Sequence, residues 1–152
     1  MAARTFFRYF PTKEHLLYQG EADWIRDFLD IYPTQPATLS DLEAMRVTLI
    51  ALTPHFAKKR RSLQLYRRAV ESSPTLRGLE QIHYQEDANI LAQAIAARRG
   101  RRQVDEGCIL SASVGLLIYR RAQDIWLDGP ANTSLSRVVT KQFKALERQL
   151  AL

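Results

Sequence analysis

The sequence predicts an all-α protein, a bundle of about seven helices, and three observations carry that reading. Apolar residues recur at three- and four-residue spacing along most of the chain, and no stretch shows the period-two alternation of a half-buried strand. Capping residues, prolines and glycines mark starts and stops at helix-length intervals. Six Gly and six Pro in 152 residues leave long stretches between breakers. At 46% hydrophobic and 25% charged, the composition is that of one globular domain with a sizeable core, which excludes a disordered chain.

The first helical run is Ala2 to Phe10. Pro11 closes it, because proline lacks an amide hydrogen and pushes the preceding residue out of helical geometry. Thr12 then serves as N-cap of a second helix, with Lys13 and Glu14 in its opening turn. That helix carries His15, Leu16, Leu17, Trp24, Ile25, Phe28 and Leu29 at helical spacing, contains Gly20, and ends near Tyr32 and Pro33, with Pro36 in the loop beyond. Ser40-Asp41-Leu42-Glu43 has the form of a capping box and starts a third helix. Leu42, Met45, Leu49 and Leu52 share its face, and Pro54 marks the approach to its end.

A shorter helix follows from about Ala57 to Ser72, with Leu63, Leu65, Tyr66 and Val70 among its apolar residues. Ser73-Pro74, an N-cap with proline at the first helical position, opens a long helix to Arg99 that Gly100 stops. Leu76, Leu79, Ile82, His83, Glu86, Ile90, Ala94 and Ala97 fall near one stripe of it. Asp105 and Glu106 suit the positive start of the next helix, which runs through Ile109, Val114, Leu117, Ile118, Ala122, Ile125 and Trp126 to Leu127, before Gly129-Pro130. Asn132 to Ser134 offer caps for a last helix, Leu135 to about Ala151, apolar at Leu135, Val138, Val139, Phe143, Leu146 and Leu150.

The net charge of +6 and pI near 9.8 are compatible with a polyanionic partner. Two basic clusters, Lys58-Lys59-Arg60-Arg61 and Arg98-Arg99 with Arg101-Arg102, sit at expected helix ends and read as solvated ends. The single Cys108 allows no intramolecular disulfide and points to a reducing interior. The first residues do not form a signal peptide, and the apolar-leaning run Ile109 to Tyr119 is too short to span a membrane. A cytoplasmic protein without a membrane partner is the expectation.

The densest chemistry lies at the start. Arg4, Thr5 and Arg8 present guanidinium forks and a hydroxyl, groups suited to base edges and phosphates, while Phe6 and Phe10, four apart, would anchor one face of the run. This segment resembles the recognition helix of TetR-family bacterial regulators, T-x-[YF]-x-[YH]-F followed by [SP]-x-K-E-x-L. Thr5, Phe7, Tyr9, Phe10, Pro11, Lys13, Glu14 and Leu16 occupy those places. The resemblance implies Arg4 and Thr5 at base edges, Arg8 and Tyr9 near the backbone or bases, and Lys13 on a phosphate at the start of the following helix. Phe7 stands where the family commonly has a tyrosine whose hydroxyl touches phosphate.

It also implies a division: residues 1–18 as a remnant of the helix-turn-helix DNA-binding domain, and residues 19–152 as a ligand-binding and dimerisation domain. A helix-turn-helix has supporting helices before its recognition helix, and this sequence begins at the recognition helix. A misassigned start at Met1 and a shortened protein both account for that. The C-terminal pair, YRRAQDIWLDGP followed by TSLSRVVTKQFKAL, resembles the helices through which TetR-type dimers form a four-helix bundle. Val114, Leu117, Ile118, Ile125, Val138, Val139, Phe143 and Leu146 are the interface residues expected of a homodimer.

Trp24, Phe28, Tyr66, His83, Tyr119 and Trp126 are large side chains, most of them amphipathic, of the kind that line a small-molecule pocket, although each is also ordinary core material. His83 with Glu86 and Asp87 is too few ligands for a metal site. There is no Gly-rich phosphate loop, HExxH, paired cysteine motif or GxSxG, and Ser111 and Ser113 near Cys108 are small packing residues, so neither an enzyme nor a cofactor is expected. The resemblance implies a repressor that binds operator DNA as a homodimer and is released by a small-molecule effector, with Thr12 to Ile31 as the lever between head and body. The alternative is a truncated helical ligand-binding dimer without DNA binding of its own.

Overall fold

The computed structural model describes residues 24–151, which are all helical apart from their connections. Residues 24–31 form helix α1, and a 3-10 turn, Tyr32–Thr34, follows it. Then come α2 (Asp41–Ala57), α3 (Arg60–Ser72), α4 (Pro74–Arg98), α5 (Glu106–Asp128) and α6 (Leu135–Leu150). Among the described residues there is no strand. The helix starts are those that the capping residues mark. The Ser40 hydroxyl accepts from the Glu43 amide at 3.2 Å while the Glu43 carboxylate accepts from the Ser40 amide at 3.2 Å. Ser73, Asp105 and Ser134 each accept one amide of the following first turn.

Helix α2 runs through Pro54 to Ala57. Proline cannot donate to the carbonyl four residues back, that of Ile50, and the Thr53 hydroxyl takes that place, donating to it at 2.7 Å. The helix therefore keeps a partner for the orphaned carbonyl and continues for three more residues.

Helix α5 is the central element. It packs on α2, α3, α4 and α6, and its Cys108, Ala112, Gly115, Leu116, Tyr119, Ala122 and Trp126 are buried. Gly115 is where α2 comes closest: a Cβ there would fall on the Sδ of Met45, itself 1% exposed. The aromatic core continues from α5 to α1, with the Trp24 and Tyr119 rings 4.9 Å apart, Trp24 edge-on to Phe28 at 6.0 Å, and Phe28 stacked on Tyr32 at 5.1 Å.

Three expectations change. On α4 the buried side runs through Leu76, Leu91, Ala92, Ile95 and Ala96, with Tyr84 and Ala88 packed against the core, whereas Ile82, Glu86 and Ala97 of the expected stripe are exposed. Leu76 of that stripe is nevertheless buried and Ile90 and Ala94 pack against the core, so with apolar residues on several sides periodicity alone found only part of the buried face. The Arg98–Arg102 cluster is only partly a solvated end. The Arg98 guanidinium donates to the carbonyls of Pro36 and Leu39 at 2.6 and 2.9 Å and to Asp41 at 3.2 Å, and lies 5.6 Å over the Tyr32 ring. Arg99 also pairs with Asp41, and Arg99 and Arg101 meet Asp105.

Arg60, in the other cluster, reaches the C-terminal carbonyls of α5. It donates to Gly129 at 2.8 Å and to Trp126 at 3.3 Å, and lies 5.7 Å over the Trp126 ring. The cation thus offsets the negative pole of α5 rather than that of its own helix. Beside it Arg67 ties α3 to α5 through Asp128 at 2.5 Å.

Candidate functional site

Where α1, α4 and α5 meet, their side chains enclose a cavity of about 30 Å³ lined by Trp24, Glu80, His83, Tyr84, Asp87, Leu116, Tyr119, Arg120 and Gln123. Glu80, Tyr84 and Asp87 follow one another on α4 at four- and three-residue steps, which puts them on one side of the helix. Leu116, Tyr119, Arg120 and Gln123 do the same on α5. A second cavity of about 80 Å³, between α3, α4 and α5, is lined by Leu63, Tyr66, Arg67, Val70, Glu80, Arg120, Gln123, Asp124 and Leu127. Glu80, Arg120 and Gln123 belong to both linings and so form the partition.

That partition is held by charge. Glu80 accepts from the Arg120 guanidinium through one carboxylate oxygen and from the Tyr66 hydroxyl through the other, and Arg120 lies 4.8 Å over the Tyr84 ring. His83 Nδ1 sits 3.3 Å from the Glu86 carboxylate. Asp87 makes no direct ion pair among the described residues, and burial pushes its carboxyl up to about 6, with His83 pulling the other way. The site thus holds a desolvated carboxylate beside aromatic walls and one paired cation.

Of the residues expected to line a pocket, Trp24, His83 and Tyr119 come together in the first cavity and Tyr66 in the second. Phe28 stands behind Trp24 in the core with no exposed surface. Trp126 lies elsewhere, beside a cavity of about 250 Å³ that also touches Arg60 and the start of α6, with its Nε1 donating to the Thr133 carbonyl at 3.1 Å. Glu80, Tyr84, Leu116, Arg120 and Gln123 were missed, while Asp87 stood out in the sequence only beside His83 and Glu86. The same-side spacing on two long helices was a usable signal for them, but it takes the α4–α5 pairing to show that the two sides face each other.

Arg4, Thr5, Phe7, Arg8, Tyr9 and Lys13 lie outside the described residues, as does Gly20. The expected interface residues divide by burial. Ile118, Val138, Val139 and Phe143 are buried within the subunit's own core. Val114 and Leu146 are half-buried, while Leu117 and Ile125 are exposed, at 55% and 36%. With Leu110, 61% exposed, and Val114, the last two form one stripe along α5. Among the described residues no His, Cys, Asp or Glu side chains gather in a group of three or more able to hold a metal ion. None of the described helices is long and apolar enough to cross a membrane.

The described residues form an all-helical body with a small aromatic and charged cavity between α1, α4 and α5. A family model described as the MftR C-terminal domain, one of the TetR C-terminal domains, matches residues 39–151, most of the chain. The chain belongs to the TetR family of regulators. A comparison with curated proteins finds no match.

Proposed function

We propose that this protein is a TetR-type transcriptional regulator, acting as a repressor: a homodimer that binds operator DNA through residues 1–18 and lets go when a small molecule enters the body formed by residues 19–152. The observation that carries this is the position of Trp24. It stands on α1, the end of the Thr12 to Ile31 lever, and lines the cavity between α4 and α5. A molecule lodged there touches the lever directly.

The cavities are also small. Their free spaces of about 30 and 80 Å³ compare with roughly 300 to 1,000 Å³ for sites that hold drug-sized ligands. An effector therefore binds best to a conformation in which α4, α5 and α1 stand further apart. By that difference in affinity it shifts the population away from the DNA-competent state. In a dimer, the two recognition helices then no longer fit major grooves one helical turn apart. The exposed α5 stripe of Leu110, Val114, Leu117 and Ile125 supports a partner subunit across that face.

Selection of duplexes from a random pool, followed by titration of the selected site, tests the reading. A palindromic site is expected, with affinity falling steeply as salt rises. Arg4→Ala should cost about 1–3 kcal/mol and relax the base preference, and Lys13→Ala should weaken all sequences alike. Failure to enrich any site, or an affinity indifferent to both changes, would sink the DNA-binding role.

A further inference from the structure

The cavity between α1, α4 and α5 has a chemistry of its own. Its charged lining residues are Glu80, Asp87, Arg120 and, when protonated, His83. Arg120 is engaged by Glu80 and by the face of Tyr84. His83 lies against Glu86, which is outside the lining. Among the described residues, Asp87 is the carboxylate in the wall without a direct ion pair: His83 and Arg120 act on it from a distance while their own contacts are to Glu86 and Glu80, and it stands with Trp24, Tyr84 and Tyr119 around the same space.

An anionic group placed here would have to draw Arg120 away from Glu80. That would leave both Glu80 and Asp87 as uncompensated carboxylates in a partly desolvated site. A neutral group would leave Asp87 as it is. A cation alone gives Asp87 a partner while keeping the Glu80–Arg120 pair, and aromatic walls add their own attraction for a desolvated cation. The free space of about 30 Å³ fits a compact head such as a primary ammonium, not a bulky one. Beyond Gln123 and Arg120, the second cavity offers Leu63, Val70 and Leu127 to an apolar body attached to that head.

We infer that the effector of this site is an organic amine, its ammonium group paired with Asp87 beside Trp24, Tyr84 and Tyr119 and its apolar part directed past the Glu80–Arg120 partition. This rests on the cavity being the effector site of the regulator proposed above. In binding, no bond is made or broken; the amine enters as its cation.

The test compares three probes of one size on the full chain by calorimetry: 2-phenylethylamine, 2-phenylethanol and 3-phenylpropionate. The amine is expected to bind saturably and more tightly than the other two. Asp87→Asn should weaken it by roughly tenfold or more, the loss expected for an uncompensated charged hydrogen bond. Tyr84→Leu, a second variant that leaves the carboxylate in place, should weaken it less, while Glu86→Gln should leave it unchanged. The inference is overturned if the amine does not bind, if Asp87→Asn binds it as well as the wild type does, or if the carboxylate probe binds best and Arg120→Gln abolishes that. Operator titration with the amine present separates the two proposals. Amine binding through Asp87 with no effect on DNA upholds the site and counts against the regulatory reading. DNA binding with no amine binding upholds the regulator and overturns the amine.

Discussion

Asp87 is the residue whose environment asks for an explanation. Burial raises its carboxyl to about 6 from the ordinary 3.8, so the folded chain holds a proton there that the unfolded chain gives up. The sign follows: between about pH 4 and pH 6 the folded state binds more protons than the unfolded one, so this group's contribution to stability is present below that window and is lost as the pH rises through it. Asp87→Asn removes the effect. Thermal melts should therefore show the variant with a higher Tm than the wild type at pH 7.5, and the gap closing by pH 4. A gap that stays constant over that range would show that the carboxylate is not strained in the fold.

Gly115 makes the opposite point, since its role is purely spatial. Met45 occupies the space that a side chain would need, so Gly115→Val should lower stability by about 1–3 kcal/mol through overpacking. Cutting Met45 to Ala in the same chain should recover part of that, and a double-mutant cycle in urea reads the coupling. Gly115 did not stand out in the sequence, and Asp87 did so only beside His83 and Glu86. A glycine in an apolar helix says nothing of a close approach until a neighbouring methionine is placed over it, and a carboxylate near a histidine does not show which of the two faces a cavity until α5 is packed beside it.

At the scale of elements, what could be read in advance follows local chemistry closely. Ser40, Ser73, Asp105 and Ser134 cap the helices that their positions announced, because a cap is satisfied within one turn of chain. What could not be read is made by residues far apart in sequence. Arg98, at the end of α4, gathers the Pro36 and Leu39 carbonyls, Asp41 and the Tyr32 ring, and so binds the end of α1 to the starts of α2 and α5 through its neighbours. Nothing in a run of four arginines says which one turns inward.

Arg98 and Asp41 have side chains only 8% and 9% exposed, so Arg98→Met leaves a buried carboxylate with Arg99 and the Tyr32 hydroxyl and removes the guanidinium from the Pro36 and Leu39 carbonyls. A loss of about 3 kcal/mol is expected, as for other broken buried pairs. Arg101→Ala, at the exposed end of the same cluster, should change stability by less than about 0.5 kcal/mol. Chemical denaturation of the two variants checks the contrast. Amide exchange in residues 32–40 should also quicken in the first and not in the second, since the knot is what holds that connection to the body.

For the whole molecule, four of the eight residues expected at a partner's face, Ile118, Val138, Val139 and Phe143, are buried in the subunit's own core. Val138, Val139 and Phe143 pack inside the subunit, which leaves α5, with Leu110, Val114, Leu117 and Ile125, as the apolar surface free for a second copy. On the proposed reading, burying such a stripe across a twofold axis would bring two chains, and with them two DNA-reading segments, to one operator. DNA binding, dimerisation and the cavity would on that reading be one device: the stripe would set the spacing, the lever would carry it to the DNA, and Trp24 would expose the lever to whatever fills the cavity.

The most direct measurement is the stoichiometry and affinity of operator binding by fluorescence anisotropy, for the wild type and for Leu117→Glu. Two chains per palindromic site, with binding lost in Leu117→Glu while its helical content and melting persist, is the predicted result. One chain per site, or a Leu117→Glu protein that binds as tightly as the wild type, would contradict the account.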